Sequence, residues 1–495
     1  MNKKKADKEL SPVMDKREKK EIKKHGKKLN REMAVVTYVF LALFLIMSAY
    51  IVFFVVHDSE NVLNNPYNKR QDLLAKRVKK GSILSDTGKV LAETETDDEG
   101  NEKRVYPYGG LFAHTVGRTS HGRTGLESTE GYTMLTSGIN PLFGVANEIR
   151  GIKNPGNRVV TTLNVNLSQI ADQALGSQKG AVVAIEPETG KILAMVSKPT
   201  YDPNNLTDAK WNKLTADSND DSALYNRATQ GLYPPGSTFK LYTALEYKRE
   251  NETYNQFSYR CKGSVGTGSD KIRCYGGEVH GSLNLTTAIA ESCNTAFCQI
   301  GAALDGNKWH SLCESLYYNR TMPLDNLEQR SSRFTITEKS SLGEVRQAAI
   351  GQGETLVSPL QNSFLVCAAV NGGKLMKPYL VDCIEDYQGN VLESFQPIEV
   401  GTPLTEEEAE TLKKWMRAVV KSGTATALYP GSYKAGGKTG SAEFQNSSKD
   451  SHAWFVGYAE KGKKKIVVSI VVEAAGTGSA YAVPIARKIF DAWLG

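Results

Sequence analysis

Between Glu32 and His57 run 24 residues without a charge, Met33–Val56 (MAVVTYVFLALFLIMSAYIVFFVV), directly behind a strongly basic segment. As a helix rising about 1.5 Å per residue, this stretch reaches roughly 36 Å, enough to cross a hydrocarbon core of about 30 Å with some tilt. A cleaved signal peptide and a buried core helix are the rival readings, but a signal h-region usually runs only about 7–15 residues. The Lys/Arg excess before the span places residues 1–32 on the cytoplasmic side and everything after Val56 outside. All chemistry is therefore expected beyond the membrane, in a chain whose 495 residues are too many for one ordinary core.

The net charge of +7 invites a polyanion as partner until its position is considered. Residues 1–32 carry 13 Lys+Arg against 6 Asp+Glu, which leaves 48 of each sign in the remaining 463 residues. No nucleic-acid partner is expected from so neutral an outer portion. Seven cysteines are too sparse for a disulfide scaffold. Cys261 and Cys274 bracket a Gly-rich segment and form a candidate bridged loop. Cys293, Cys298, Cys313, Cys367 and Cys383 show no metal-ligand spacing along the chain, so no metal site is expected.

Residues 57–160 alternate short extended runs (Gly81–Leu84, Lys89–Ala92, Arg104–Tyr108) with turns, and Thr94–Lys103 has the composition of an exposed loop. Asp86-Thr-Gly88 suits a hairpin turn; as an aspartic-protease motif it lacks the second copy that two carboxylates sharing a site require. From Val159 the texture changes. A helical run at Val165–Ala174 precedes a hairpin of Ala181–Glu186 and Lys191–Ser197, helical patterns follow at Phe239–Arg249, Thr286–Ala303 and Pro359–Ala369, and strands at Ala453–Tyr458 and Ile466–Glu473 lead to a last helix at Ala486–Leu494. This mixture predicts an α+β domain over 161–495 with a mostly antiparallel sheet.

Three short motifs carry the chemistry. In Tyr233-Pro-Pro-Gly-Ser-Thr-Phe-Lys240 the Pro-Pro-Gly break starts a helix, so Ser237 and Lys240 share one face at i,i+3, and a neutral lysine there can accept the serine proton. An exposed lysine titrates near 10.4, so that role needs burial or a cationic neighbour; otherwise Ser237 is a cap and Lys240 a solvated residue. Ser292-Cys-Asn294 lies where two helical runs meet, whereas the same Ser-x-Asn pattern at Ser59 has no such context and that at Ser282 suits a helix cap. Lys438-Thr-Gly440 sits at a strand edge between glycines that let a ligand backbone approach closely. Its rival, Lys421-Ser-Gly423, ends a helical run over Glu406–Val420, where a basic residue and a glycine are ordinary punctuation.

Taken in order, Ser-x-x-Lys, Ser-x-Asn and Lys-Thr-Gly resemble the motif set of the penicillin-binding proteins and serine β-lactamases. Gly180–Ser197, Glu291–Phe297, Ile350–Glu354, Gly437–Glu443 and His452–Gly457 extend the likeness to the transpeptidase domain of class B penicillin-binding proteins. Gly81–Leu84, Asp86–Ala92 and Gly125-Leu-Glu127 resemble a reduced form of that family's β-rich pedestal, with Lys80 where the family usually has arginine. The resemblance implies a peptidoglycan D,D-transpeptidase without metal or organic cofactor, acting on stem peptides and acylated by β-lactams. Ser237 is then the nucleophile, Lys240 its base, Ser292 a proton relay and Asn294 a substrate-orienting amide. Lys438, Thr439 and Gly440 anchor the terminal carboxylate, and the backbone N–H groups of Ser237 and Ser441 hold the oxyanion. It further implies a membrane-embedded SEDS-family glycosyltransferase as partner, because residues 57–160 are too few for a polymerase domain. A D,D-carboxypeptidase would use the same residues, and a β-lactam-sensing receptor the same serine, although the latter signals through several membrane segments.

Overall fold

The computed structural model describes residues 15–495 except 58–61, 63–68, 217–221, 269–270, 430 and 445–446. The first fourteen residues of the basic tail, Ser59 with its Ser-x-Asn pattern, and most of the junction after the apolar span therefore lie outside the described residues. Two compact units are present, Met1–Asn65 and Pro66–Gly495.

The first unit holds helix α1, Lys16–His57, with no buried residue. It begins well before Met33 because Lys, Glu and Arg in the basic segment are good helix formers and nothing between them stops the helix except one tolerated glycine, Gly26. This is a helix long and apolar enough to cross a membrane.

In the second unit, a six-stranded sheet joins β1 (Ile83–Leu84), β2 (Val90–Thr96), β3 (Glu102–Val105) and β4 (Arg158–Thr161) to two strands from far later, Val381–Glu385 and Val391–Ser394. β1 pairs parallel with β4, and Val381–Glu385 runs antiparallel to β4. The sheet thus bridges the boundary expected at residue 160. The polar segment 94–103 is shorter as a loop than its composition indicated, because β2 continues to Thr96 and β3 begins at Glu102. Asp86-Thr-Gly88 does turn β1 into β2, with Gly88 at φ +77° and its N–H donating to Ser85 O at 3.0 Å. Behind the sheet, Glu127 is fully buried and receives both Lys80 Nζ at 2.6 Å and Arg104 Nε at 2.7 Å. Lys80 therefore keeps a paired cation at that position.

The rest of this unit is layered around an antiparallel five-stranded sheet in the order β7-β8-β9-β5-β6, comprising β5 (Gly180–Ile185), β6 (Ile192–Lys198), β7 (Lys434–Phe444), β8 (Ser447–Lys461) and β9 (Lys464–Val472). β5 and β9 are buried almost throughout, so both faces are covered and their sequences are continuous Val/Ile/Ala runs instead of alternating ones. On one face pack α2 (Val165–Leu175) and the closing helix α7 (Gly478–Leu494), which starts eight residues before the expected Ala486 and carries Pro484 inside. Against β7 packs α6 (Glu406–Ser422), whose buried stripe is Ala409, Leu412, Trp415, Met416, Val419 and Val420. Thr405 and Glu408 form its capping box, and three glutamates in its first turn with Lys421 in its last complement the helix dipole. Lys421 is exposed helix-end punctuation, as its context indicated.

Candidate active site

The chain reaches the first motif through a tightly held extended segment. Tyr233 pairs with Val357 through both backbone groups, at 3.1 and 2.9 Å, and its hydroxyl donates to Glu473 Oε1 at 2.7 Å. Arg227, fully buried, donates to the same carboxylate at 2.7 Å, and Trp454 Nε1 donates to Pro234 O at 3.0 Å. The prolines then force a break, Gly236 turns at φ +54°, and a tight turn over Gly236–Phe239 runs straight into α3 (Lys240–Glu250). Gly351, at φ +72°, donates no side chain to this junction: a Cβ there would stand 2.1 Å from Gly236 O.

The second motif is a corner between α4 (Leu285–Ala290) and α5 (Asn294–Gly301). Asn284 caps α4 in a capping box with Thr287, so the Ser282 pattern is a helix start, as read. Ser292 sits in the left-handed region at φ +59° and Cys293 caps α5 by accepting from Ala296 N–H. A left-handed serine costs of order 1–3 kcal/mol and persists only where its surroundings hold it.

The third motif lies on β7. Its glycines also admit neighbouring protein, while Gly440 lines the cleft as well. A Cβ on Gly437 would stand 2.5 Å from the Phe455 ring, and one on Gly440 would stand 2.9 Å from Pro235 O. β7 is thereby pressed against the turn that carries Ser237.

The fold brings the motifs together at Ser292. Lys438 Nζ donates to Ser292 Oγ at 2.9 Å, and Lys240 Nζ donates to Ser292 O at 2.6 Å, to Asn294 Oδ1 at 2.6 Å and, at 3.3 Å, to Ser292 Oγ. Both lysines are fully buried. Burial pulls Lys240 down to about 8, against a partial upward pull from the nearby Cys293, Cys274 and Cys298. Burial also holds Lys438 well below the ordinary lysine range, and Lys240 beside it adds to that by repulsion. Half-buried Ser237 lines a cleft of about 1480 Å³ together with Ser292, Asn294, Thr439, Gly440 and Ser441. Among the described hydrogen bonds none joins Ser237 to Lys240; the lysine is turned to the Ser-x-Asn corner.

Thr424 completes the group without having been singled out. Its hydroxyl is 2.5 Å from Thr439 Oγ1 and it lines the cleft. It directly follows the rival Lys421-Ser-Gly423, so that segment does reach the site, through the residue after its glycine.

Residues 180–491 match the family described as the penicillin binding protein transpeptidase domain. The chain belongs to the penicillin-binding-protein transpeptidases. It is 31% identical over 471 residues to the peptidoglycan D,D-transpeptidase PbpA of Mycolicibacterium smegmatis, covering 89% of this chain and 94% of that protein. It is 28% identical to the peptidoglycan D,D-transpeptidase MrdA of Haemophilus influenzae, covering 77% of this chain and 64% of the relative. The imipenem acyl-enzyme complex of penicillin-binding protein A from M. tuberculosis superposes with a TM-score of 0.76 at 29% identity, over 85% of this chain and 99% of that one. As a member of the family, the chain is an enzyme of the serine D,D-transpeptidase type with the expected α+β fold.

Behind the Ser-x-Asn corner, Cys261, Cys274, His280 and Cys293 bring their ligand atoms within 4.8 Å of one another. Spacing along the chain disclosed no such set, because the four come from a hairpin, a loop and a helix cap. Cys261 and Cys274, the candidate bridge, are free thiols with their sulfurs 3.7 Å apart.

Proposed function

We propose that this penicillin-binding protein cross-links peptidoglycan outside the cytoplasmic membrane through an acyl-enzyme on Ser237. The observation that carries the reading is the convergence of Lys240 and Lys438 on Ser292 beside a cleft lined by Ser237. Neutral Lys240 accepts the Ser237 proton as Oγ attacks the D-Ala-D-Ala carbonyl, and the oxyanion rests on the N–H groups of Ser237 and Ser441. Ser292 passes that proton from Lys240 to the departing D-Ala amine, which leaves Lys240 neutral and Ser237 as an ester. A neighbouring stem-peptide amine then attacks that ester, its proton passing back through Ser292 and Lys240 as Oγ leaves. Asn294 orients the donor peptide. The donor's terminal carboxylate meets Lys438, Thr439 and Gly440, and its negative charge brings the proton back to Lys438. β-Lactams acylate Ser237 because they present the same peptide terminus.

Helix α1 holds the enzyme as a single-pass anchor with its N-terminus cytoplasmic, and residues 57–160 raise the catalytic half as a pedestal. The glycan strands come from a SEDS-family glycosyltransferase, the partner that the likeness to class B penicillin-binding proteins implies. The test is product analysis with full-length protein in detergent, supplied with uncross-linked glycan. Cross-linked dimers and one free D-Ala per link are expected. D-Ala release without dimers makes the protein a carboxypeptidase. Exchanging residues 33–56 or 57–160 for unrelated anchors and spacers should abolish co-purification with the polymerase; if it survives, the docking role is wrong.

A further inference from the structure

None of the catalytic roles uses the four residues behind the Ser-x-Asn corner. Ser258–Cys261 pairs antiparallel with Gly281–Asn284, setting Cys261 opposite Gly281 and next to His280. Cys274 is tied to the same loop by its N–H donating to Gly263 O at 2.9 Å, and Cys293 caps α5. The three thiols are almost wholly shielded from solvent, at 1%, 2% and 0% exposure.

Three of their mutual distances match the edges of a tetrahedral site, and all four ligand atoms lie within 4.8 Å of one another. Zinc binds thiolate sulfur at about 2.3 Å and imidazole nitrogen at about 2.0–2.1 Å, so the edges between ligand atoms measure about 3.8 Å for S···S and about 3.5 Å for S···N. Here Cys261 Sγ and Cys274 Sγ are 3.7 Å apart, Cys274 Sγ and Cys293 Sγ 3.8 Å, and Cys261 Sγ and His280 Nδ1 3.4 Å. The surroundings suit bound thiolates as well. Thr295 Oγ1 lies 3.2 Å from Cys261 Sγ and 3.3 Å from Cys293 Sγ, and the N–H groups of Gly263 and Ala296 donate to the same two sulfurs at 3.3 and 3.5 Å. The far ring nitrogen of His280 stands 3.6 Å from Glu278 Oε2, within ion-pair reach of that carboxylate.

We propose that Cys261, Cys274, His280 and Cys293 form a closed structural site for zinc or a cation of similar softness, which fastens the 258–284 hairpin to the Ser-x-Asn corner. Three thiolates and an imidazole favour zinc over harder cations, and four protein ligands leave no open position for catalysis. The consequence for the active site runs along two short connections. Cys293 fixes the backbone beside left-handed Ser292, and Arg273, next to Cys274, accepts from Asn294 Nδ2 at 2.8 Å while Asn294 Oδ1 holds Lys240. The four residues are positioning residues for that corner.

Full-length protein purified without chelator should carry one zinc per chain by elemental analysis. Ser237→Ala, which cannot be acylated, should carry as much, so failure of the catalytic reading leaves this result untouched. Cys261→Ser and His280→Ala should lose the metal. Because either variant can misfold, a second measurement uses the native chain: exchange into cobalt should give thiolate-to-cobalt charge-transfer absorption. Stripping with chelator should slow acylation by fluorescent penicillin about tenfold, the factor expected when one strained residue loses its restraint, and zinc should restore it. Absence of metal, or a Cys261–Cys274 disulfide in non-reduced peptide maps, overturns the site. An unchanged acylation rate after stripping overturns the positioning role.

Discussion

The acylation rate of this enzyme should follow the deprotonation of Lys240. Buried without a carboxylate among its hydrogen-bond partners, this amine is brought down to about 8, and the base proposed above is its neutral form. At pH 7 about 0.09 of Lys240 is then neutral, against about 0.0004 for an exposed lysine titrating near 10.4, so burial supplies roughly 200-fold at neutral pH. As pH rises through the folded value the proton leaves and the rate climbs. The rise should be about fivefold from pH 7 to 8 and less than about twofold from 8 to 9. Stopped-flow acylation with a fluorescent penicillin, at saturating enzyme and constant ionic strength, measures this directly. In Lys240→Ala the residual rate should show no inflection near 8. A wild-type rate that is flat from pH 6 to 9, or that still rises tenfold per unit at pH 9, would refute the base assignment.

Lys438→Ala should slow acylation by roughly 10²-fold, as loss of a charge-assisted contact worth about 3 kcal/mol implies, while Lys421→Ala stays within about twofold; the reverse pattern would exchange the motifs. Gly440→Ala places a methyl 2.9 Å from Pro235 O and should cost about 1–3 kcal/mol of stability, read by denaturant unfolding, together with slower acylation as β7 is pushed from the Ser237 turn. Glu127→Ala leaves Lys80 and Arg104 partly buried without their counter-ion and should cost about 3 kcal/mol, seen as a lower unfolding midpoint, whereas Lys80→Arg should be nearly neutral.

Much of this was legible in the sequence because the relevant signals are local. The apolar run of 33–56, the caps and stripes of α6, and the continuous Val/Ile strands β5 and β9 declare themselves over a few residues. Context also separated Lys438 from Lys421, since a lysine that ends an amphipathic helix is explained by the helix. What stayed hidden depends on chain segments that meet only in the fold. The strands 381–394 complete the six-stranded sheet from two hundred residues away, and Thr424 reaches Thr439 across the helix–strand junction. That the glycines of β7 also make room for Phe455 and Pro235 was not visible, because sequence does not show which segments press on the strand. The thiol cluster escaped for the same reason: at spacings of 13, 6 and 13 residues its members come together only in the fold.

The central claim, that one serine carries the chemistry, is tested most directly by intact-mass and peptide mass spectrometry after incubation with a penicillin. The account predicts a single adduct per chain, on the peptide containing Ser237, and none in a folded Ser237→Ala variant. An adduct of equal yield in that variant, or one mapped to Ser292 or another serine, would contradict it.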